Sequence, residues 1–217
     1  MKHKGFTLIE FIVIISIFAV MASVALFNFN GFRSNVGLNN LAHDIGLTIR
    51  QAQVFGWVTQ SASSSGAIAL DSLDPITGNP VRFADGVFFD SATLGTEFIL
   101  YRKTNENNPK NYETGLDSRI DTIKINGPYI IEKILSSPNK ADLKITSANL
   151  VPTTGLITTM SDVSIAFTRP KPEAAFFSGV APSADTYVAI YIRGTTDPLG
   201  SASHVVIVSR TGEIDVQ

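Results

Sequence analysis

The chain contains no cysteine, which excludes disulfide frameworks, thiolate metal sites and cysteine nucleophiles together. This absence leaves the cellular compartment open, because an extracytoplasmic protein can simply lack disulfides. Charge is also sparse and balanced, with 17 Lys and Arg against 19 Asp and Glu. A net charge of −2 gives no overall attraction for nucleic acid or acidic lipid, so any such binding would have to be local.

Motifs for catalysis are missing as well. Of the 3 histidines, only His43 and His204 lie outside the extreme N-terminus, and neither belongs to a metal-binding or catalytic motif. The sequence has no His-Glu-x-x-His, no Gly-x-Ser-x-Gly and no glycine-rich phosphate loop. We therefore predict that the protein is not an enzyme and binds no cofactor.

The chain has instead a concentrated apolar segment at its start. Hydrophobic residues make up 44% of the sequence, and no charged side chain lies between Phe11 and Phe27. As a helix, residues 6–27 would be about 33 Å long, close to the roughly 30 Å hydrocarbon thickness of a bilayer. Lys2 and Lys4 precede this segment and would stay on the cytoplasmic side. We expect one membrane-spanning helix, with the rest of the chain outside the cytoplasm.

A secretory signal peptide and an ordinary membrane anchor are the two simpler interpretations of this start. A secretory signal places its small-residue cleavage site after the apolar stretch, whereas Gly5 precedes it. Glu10 lies within the apolar stretch, where a lone carboxylate costs about 2.5–3.5 kcal/mol near the bilayer centre. Both interpretations leave Glu10 unexplained, and its position indicates a specific partner.

The segment 4–10, with the sequence KGFTLIE, resembles the class III signal of type IV prepilins and type II secretion pseudopilins. The resemblance implies that prepilin peptidase cuts between Gly5 and Phe6 on the cytoplasmic face, and that the new amino group of Phe6 is N-methylated. It also implies that Glu10 neutralises the N-terminal ammonium of a neighbouring subunit, so that Phe6 and Glu10 become assembly contacts. Because either charge alone would be strongly unfavourable in an apolar bundle, the pair would select correctly staggered docking.

The helix is predicted to continue to about Val58. Its second half repeats apolar residues and one threonine at spacings of three and four, which is typical of one face of an amphipathic helix. The weak helix formers between Asn28 and Gly37 are compatible with partial melting on assembly or with an ordinary bend. The apolar stripe must cover something, most simply a sheet of the protein's own head. Its members are Leu38, Leu41, Ile45, Thr48, Ile49, Ala52 and Phe55.

Beyond residue 60 the apolar period changes from that of a helix to that of a strand. Val163–Thr168 and Val188–Arg193 alternate their side chains, and His204–Ser209 is typical of a largely buried strand. The Thr211-Gly212 turn then predicts a closing hairpin that resembles the one in GspH/FimT-type minor subunits. We expect an antiparallel β head without further long helices, with more strands at Ala67–Leu70, Val81–Phe89, Glu97–Arg102, Ile120–Ile125, Tyr129–Leu135 and Leu143–Thr146.

Two polar features of the head are weaker candidates for binding. Asp71, Asp74 and Asn79 offer oxygen ligands for calcium, but their spacing departs from the EF-hand pattern, and Asp-Pro and Gly-Asn are first of all typical of turns. The stretch Asn105–Ser118 is predicted to be an exposed loop, either a partner contact or a solvated insertion.

The predicted fold class is α+β and pilin-like, with a long N-terminal hydrophobic helix followed by a mostly antiparallel β head. We assign residues 1–5 to a leader that is removed, 6–29 to the membrane and filament-core half of the helix, 30–60 to its amphipathic half, and 61–217 to the head. The expected function is that of a structural subunit, a minor pilin or pseudopilin, built into a type IV pilus or a type II secretion pseudopilus.

The resemblance also implies partners and a location. The partners are prepilin peptidase, other pilin subunits, and the inner-membrane assembly platform with its ATPase. The chain would be a single-pass protein of the bacterial inner membrane, and then part of a periplasmic or extracellular filament.

An alternative function is that of a tip-located pilin whose head binds DNA or a surface. For DNA, the compact basic groups Arg102–Lys103 and Arg169–Lys171 would have to face phosphates, and such short pairs are commonly solvated charge. We therefore expect no nucleic-acid binding.

Overall fold

The chain divides into two compact units, Met1–Gly37 and Leu38–Gln217, and the division falls within one helix. The predicted boundary near residue 60 lies outside the described residues. The computed structural model describes residues 7–58, 84–90, 96–103, 112–114, 117–145, 151–152, 156–168, 173–179, 181–198 and 203–217, with the side chains of 25–34, 57–58, 118, 168 and 181–182 left out of the description.

Helix α1 comprises Leu8–Val58, as the sequence predicts to within two residues at its start. From Leu38 onward the predicted apolar stripe is buried: Ile45, Ile49 and Ala52 have no exposed surface, and Phe55 is half-buried. The polar residues between them, including Asp44 and Arg50, are exposed. The amphipathic prediction is therefore confirmed, and this part of α1 belongs to the same compact unit as the strands because its stripe packs against them.

The described residues after α1 form short strands and one 3₁₀ helix, Lys140–Leu143. The strands are β1 (Ala84–Phe89), β2 (Glu97–Arg102), β3 (Ser118–Lys124), β4 (Tyr129–Ser137), β5 (Thr158–Met160), β6 (Val163–Thr168), β7 (Ala174–Ser178), β8 (Ala181–Pro182), β9 (Tyr187–Gly194), β10 (His204–Ser209) and β11 (Ile214–Val216). They make two sheets, ordered β3-β2-β1-β6-β7-β8 and β11-β10-β9-β4-β5, and neighbouring strands are antiparallel throughout. The α+β, pilin-like fold class is confirmed.

One apolar cluster joins the second half of α1 to both sheets. Ile49 of the helix, Leu100 of the six-stranded sheet and Ile190 of the five-stranded sheet all belong to it and are almost fully buried. Because side chains alternate along a strand, the next residue, Tyr191, belongs to a second cluster on the opposite face, together with Leu143. The five-stranded sheet is thus buried on both faces.

Most of the predicted strands that fall in described residues are confirmed, including the closing hairpin. Strand Leu143–Thr146 is wrong: Leu143 ends the 3₁₀ helix, and residues 144–145 are not in a strand. The hydroxyl of Tyr191 donates a hydrogen bond to the backbone oxygen of Leu143, so this segment lies across the face of the five-stranded sheet and does not extend it. Ala67–Leu70 lies outside the described residues, and β5, β7 and β8 are strands that the sequence analysis missed.

Candidate functional site

The candidate site is the start of α1, where Thr7 and Glu10 form a reciprocal cap. The backbone N–H of Glu10 donates to Oγ1 of Thr7 over 3.3 Å, and the backbone N–H of Thr7 donates to Oε2 of Glu10 over 3.1 Å. The Thr7 hydroxyl also donates to Oε2 of Glu10, again over 3.1 Å. This arrangement is a capping box, which satisfies two N–H groups that the first helical turn leaves without partners.

The cap gives Glu10 a local function within a single chain. Its carboxylate lies at the helix N-terminus, where the aligned peptide dipoles favour negative charge. Glu10 also remains exposed, so it is accessible to a second group. The sequence analysis missed this cap although its signature, Thr-x-x-Glu ahead of an apolar run, was present. Gly5 and Phe6, the predicted cut and methylation residues, lie outside the described residues.

The helix that follows Glu10 is apolar in every direction. Consecutive residues of a helix are about 100° apart, so an unbroken exposed run covers its whole circumference. Phe18 is 72% exposed and Met21 is 68% exposed, and large apolar residues from Leu8 to Val24 are exposed in the same way. Exposed apolar surface of this kind marks a site of protein or membrane contact.

The two serines in this segment do not break its apolar character. The hydroxyl of Ser16 donates to the backbone oxygen of Val13 over 2.8 Å, and that of Ser23 donates to the backbone oxygen of Val20 over 3.0 Å. Both hydroxyls are therefore satisfied by their own helix and need no external partner. Within the described residues, no helix combines the length and apolarity needed to cross a membrane.

The two histidines singled out from the sequence belong to the second unit. His43 is exposed on α1, whereas His204 begins β10 and its Nδ1 is buried without a hydrogen-bond partner in the described part of the chain. Burial lowers the pKa of His204, and the positive charge of His43 lowers it further. Among the described residues, no three histidine or acidic side chains are grouped so as to hold a metal ion. The calcium candidates Asp71, Asp74 and Asn79 lie outside those residues.

Lys103 is buried and not solvated surface charge, so the sequence interpretation of the pair Arg102–Lys103 is wrong for this residue, whereas the side chain of Arg102 is 34% exposed. Arg102 Nε lies 2.9 Å from Oδ1 of Asp85, and Lys103 Nζ lies 2.9 Å from Oδ2 of Asp117. Lys103 is only 1% exposed. Both cations are therefore engaged by carboxylates of the same chain and do not form a phosphate-facing cluster. The group Arg169–Lys171 lies outside the described residues.

Comparison with known proteins bears on the N-terminal segment alone. A family model described as the prokaryotic N-terminal methylation motif matches residues 1–26. No curated protein and no solved structure matches the chain. The matched residues include the predicted cut site, Glu10 and the exposed apolar start of α1. The match supports a type IV pilin-like precursor that is processed by prepilin peptidase and assembled with other subunits, and it fits a membrane-anchored pilin.

Proposed function

We propose that the protein is a structural subunit, a minor pilin or pseudopilin, of a type IV pilus or a type II secretion pseudopilus. The observation that carries the proposal is the methylation motif at residues 1–26, together with the apolar side chains that are exposed on all sides of α1 between Leu8 and Val24. Prepilin peptidase cuts between Gly5 and Phe6, and the new amino group of Phe6 is methylated. The protein does mechanical work in a filament and has no chemistry to perform on a substrate.

In this proposal the apolar start of α1 changes partners once. It first lies in the inner membrane as a single span, with the second unit outside the cytoplasm. The assembly platform and its ATPase then transfer it into a filament, where the corresponding helices of other subunits cover it. Each environment buries apolar surface that water would otherwise contact. This burial contributes a favourable free energy of about 25 cal/mol for each Å² of apolar surface.

Glu10 sets the register of this transfer. Its carboxylate is held at the helix start by Thr7, and it neutralises the N-terminal ammonium of a neighbouring subunit. A buried ion pair adds little net stability, but leaving one charge alone in an apolar bundle costs several kcal/mol. Subunits that dock out of register are therefore rejected.

The closing hairpin supports a minor subunit of GspH/FimT type. Strand β10 is almost fully buried, β11 pairs with it along the sheet edge, and Gly212 turns the chain with φ of 87°. A positive φ of this size favours glycine, which explains the residue at the turn. The hairpin then provides the outer edge of the five-stranded sheet in the subunit's head.

Processing of the N-terminus tests the proposal directly. In cells that contain prepilin peptidase, the mature chain should begin at N-methylated Phe6, as measured by mass spectrometry of its N-terminal peptide. Gly5→Val should retain residues 1–5, because the cut requires a small residue before Phe6. Gly31→Val is the matched control, since it makes the same change away from the cut, and it should be processed normally. A Gly5→Val chain that is still cut and methylated would overturn the proposal.

A further inference from the structure

A fully buried lysine lies on the face of the six-stranded sheet that points away from α1. Lys103 follows β2, and its backbone N–H donates to the backbone oxygen of Ala84 over 2.9 Å. The side chains of Lys103 and Asp117 both have 0% exposure, and Nζ lies 2.9 Å from Oδ2 of Asp117. Removing two charges from water costs several kcal/mol each, and their attraction offsets this cost only where the geometry and the further hydrogen bonds are good. Stability of the fold alone does not explain why this pair is buried.

A second carboxylate completes the group. Oε1 of Glu113 lies 3.9 Å from Nζ of Lys103, and the Glu113 side chain is 28% exposed. The backbone N–H of Glu113 donates to Oδ2 of Asp117 over 2.7 Å. The backbone N–H of Asp117 donates to the backbone oxygen of Glu113 over 3.1 Å. Glu113 thus places its carboxylate, a proton acceptor, near Nζ of Lys103. Its backbone N–H is a hydrogen-bond donor to Oδ2 of Asp117.

Aromatic side chains pack beside this group on the same face of the sheet. The ring of Tyr112 lies 4.8 Å from that of Phe88 and 5.0 Å from that of Tyr101, and the Tyr112 backbone N–H donates to Oγ of Ser164 over 3.1 Å. Tyr101 shares a face with Lys103, because the two residues are two positions apart on an extended chain. Tyr101 is completely buried, and this burial raises its pKa, so its hydroxyl stays protonated.

We propose that this group forms an amide bond between the side chains of Lys103 and Asp117. A proton first passes from the Lys103 ammonium to the Asp117 carboxylate, which leaves a neutral amine beside a neutral acid. Nζ then attacks Cγ of Asp117, negative charge develops on Oδ1, and the protonated Oδ2, to which the backbone N–H of Glu113 donates over 2.7 Å, becomes the departing oxygen. The carboxylate of Glu113 takes a second proton from Nζ and passes it to the departing oxygen. The Nζ–Cγ bond forms, a Cγ–O bond breaks, and one water molecule leaves.

Two physical features favour this condensation over the ordinary ion pair. The reacting groups are held in contact, and such positioning can be worth about 7–11 kcal/mol of the barrier. The side chains of Lys103 and Asp117 are also shielded from water, each with 0% exposure, which opposes hydrolysis of the product. The reaction needs no oxidant, cofactor or other reactant. In a chain without cysteine, the bond would close the loop between residues 103 and 117 as a disulfide does elsewhere, by restricting the unfolded chain.

The test is the mass of the full chain after denaturation. We expect it to be smaller by one water molecule than the mass calculated for the same chain without a cross-link, and protease digestion should release a branched peptide that joins Lys103 to Asp117. Lys103→Arg keeps the positive charge but should restore the full mass. Glu113→Gln keeps the backbone donor but removes the proton acceptor, and should slow bond formation about 100-fold or more.

Lys140 provides the matched control. Its Nζ lies 3.0 Å from Oε1 of Glu213 and 3.1 Å from Oδ2 of Asp215, but the site is partly exposed. Lys140→Arg should therefore leave the mass deficit unchanged. A wild-type chain of full mass overturns the proposal, and this measurement does not depend on whether any variant folds. A water loss without the branched peptide, as a cyclic imide at Asp85-Gly86 would give, overturns it equally.

Discussion

His204 lies in the compact unit Leu38–Gln217, in an environment that disfavours its protonated form. Its Nδ1 is buried without a hydrogen-bond partner in the described residues, and the ring is close enough to His43 to be affected by its charge. Burial, and then the charge of His43, lower the pKa of His204 below its ordinary value of 6.5. The unfolded chain keeps the ordinary pKa, so at intermediate pH it binds more protons than the folded chain does.

We therefore expect acid to destabilise the compact unit through His204. This contribution is absent above pH 6.5, grows as pH falls through 6.5, and stops growing below the lowered pKa of the folded state. His204→Gln should remove this part of the acid sensitivity, and His43→Gln should reduce it. Urea unfolding of the full chain in detergent, on both sides of pH 6.5, measures the effect. Equal acid losses in His204→Gln and the wild type would contradict it.

At the scale of the element, α1 approaches the six-stranded sheet closely at Gly56. An added Cβ there would lie 2.8 Å from the backbone oxygen of Phe167 and 2.9 Å from the Cβ of Phe167. Neither atom belongs to a flexible side-chain end, so helix and strand would have to separate. At Gly46, by contrast, the nearest atom is Cγ2 of Val216 at 3.2 Å, the tip of a side chain on an edge strand.

These two glycines allow a matched comparison. Gly56→Ala should lower the free energy of unfolding by roughly 1–2 kcal/mol, because overpacking costs about 1–3 kcal/mol and the better helix propensity of alanine returns at most about 1 kcal/mol. Gly46→Ala should be neutral or slightly stabilising, since Val216 can shift. Denaturant unfolding of both variants measures the difference. Equal effects of the two substitutions would contradict the close approach at Gly56.

Elements with a strong local period were predictable from the sequence, and elements set by distant contacts were not. The stripe from Leu38 to Ala52 and the strands β6 and β9 follow from spacing alone. β7 was missed because its run Ala174–Ser178 has little alternation and is defined by pairing with β6. Leu143 was misassigned because its backbone oxygen is taken by Tyr191, a residue far along the chain.

At the scale of the whole molecule, the N-terminal motif could be recognised from the sequence and the buried group at Lys103 could not. The cut residues and Glu10 belong to one continuous segment, which the methylation motif also covers. Lys103 and Asp117 are separated by a polar stretch that predicts only an exposed loop. That prediction is wrong for Tyr112 and Asp117, which are buried because Tyr112 packs against Tyr101 and Asp117 pairs with Lys103. Residues 104–111 and 115–116 of the stretch lie outside the described residues.

Filament assembly can separate two properties of Glu10, its negative charge and its hydrogen bonds to Thr7 at the start of α1. Glu10→Gln keeps an oxygen that can accept the Thr7 N–H but removes the charge, whereas Glu10→Ala removes both. We expect both variants to be cut after Gly5, because the cut site is unaltered, and both to be missing from filaments, because neither can neutralise a neighbouring ammonium.

A function of Glu10 in capping alone predicts a different result for the two variants. If Glu10 served only to cap α1, Glu10→Gln would assemble like the wild type, and only Glu10→Ala would suffer, by about 1 kcal/mol of helix stability. The measurement is the share of processed subunit found in sheared filaments relative to membranes, for the wild type and both variants. A Glu10→Gln share equal to that of the wild type would remove the charge from the assembly mechanism and leave Glu10 as a helix cap.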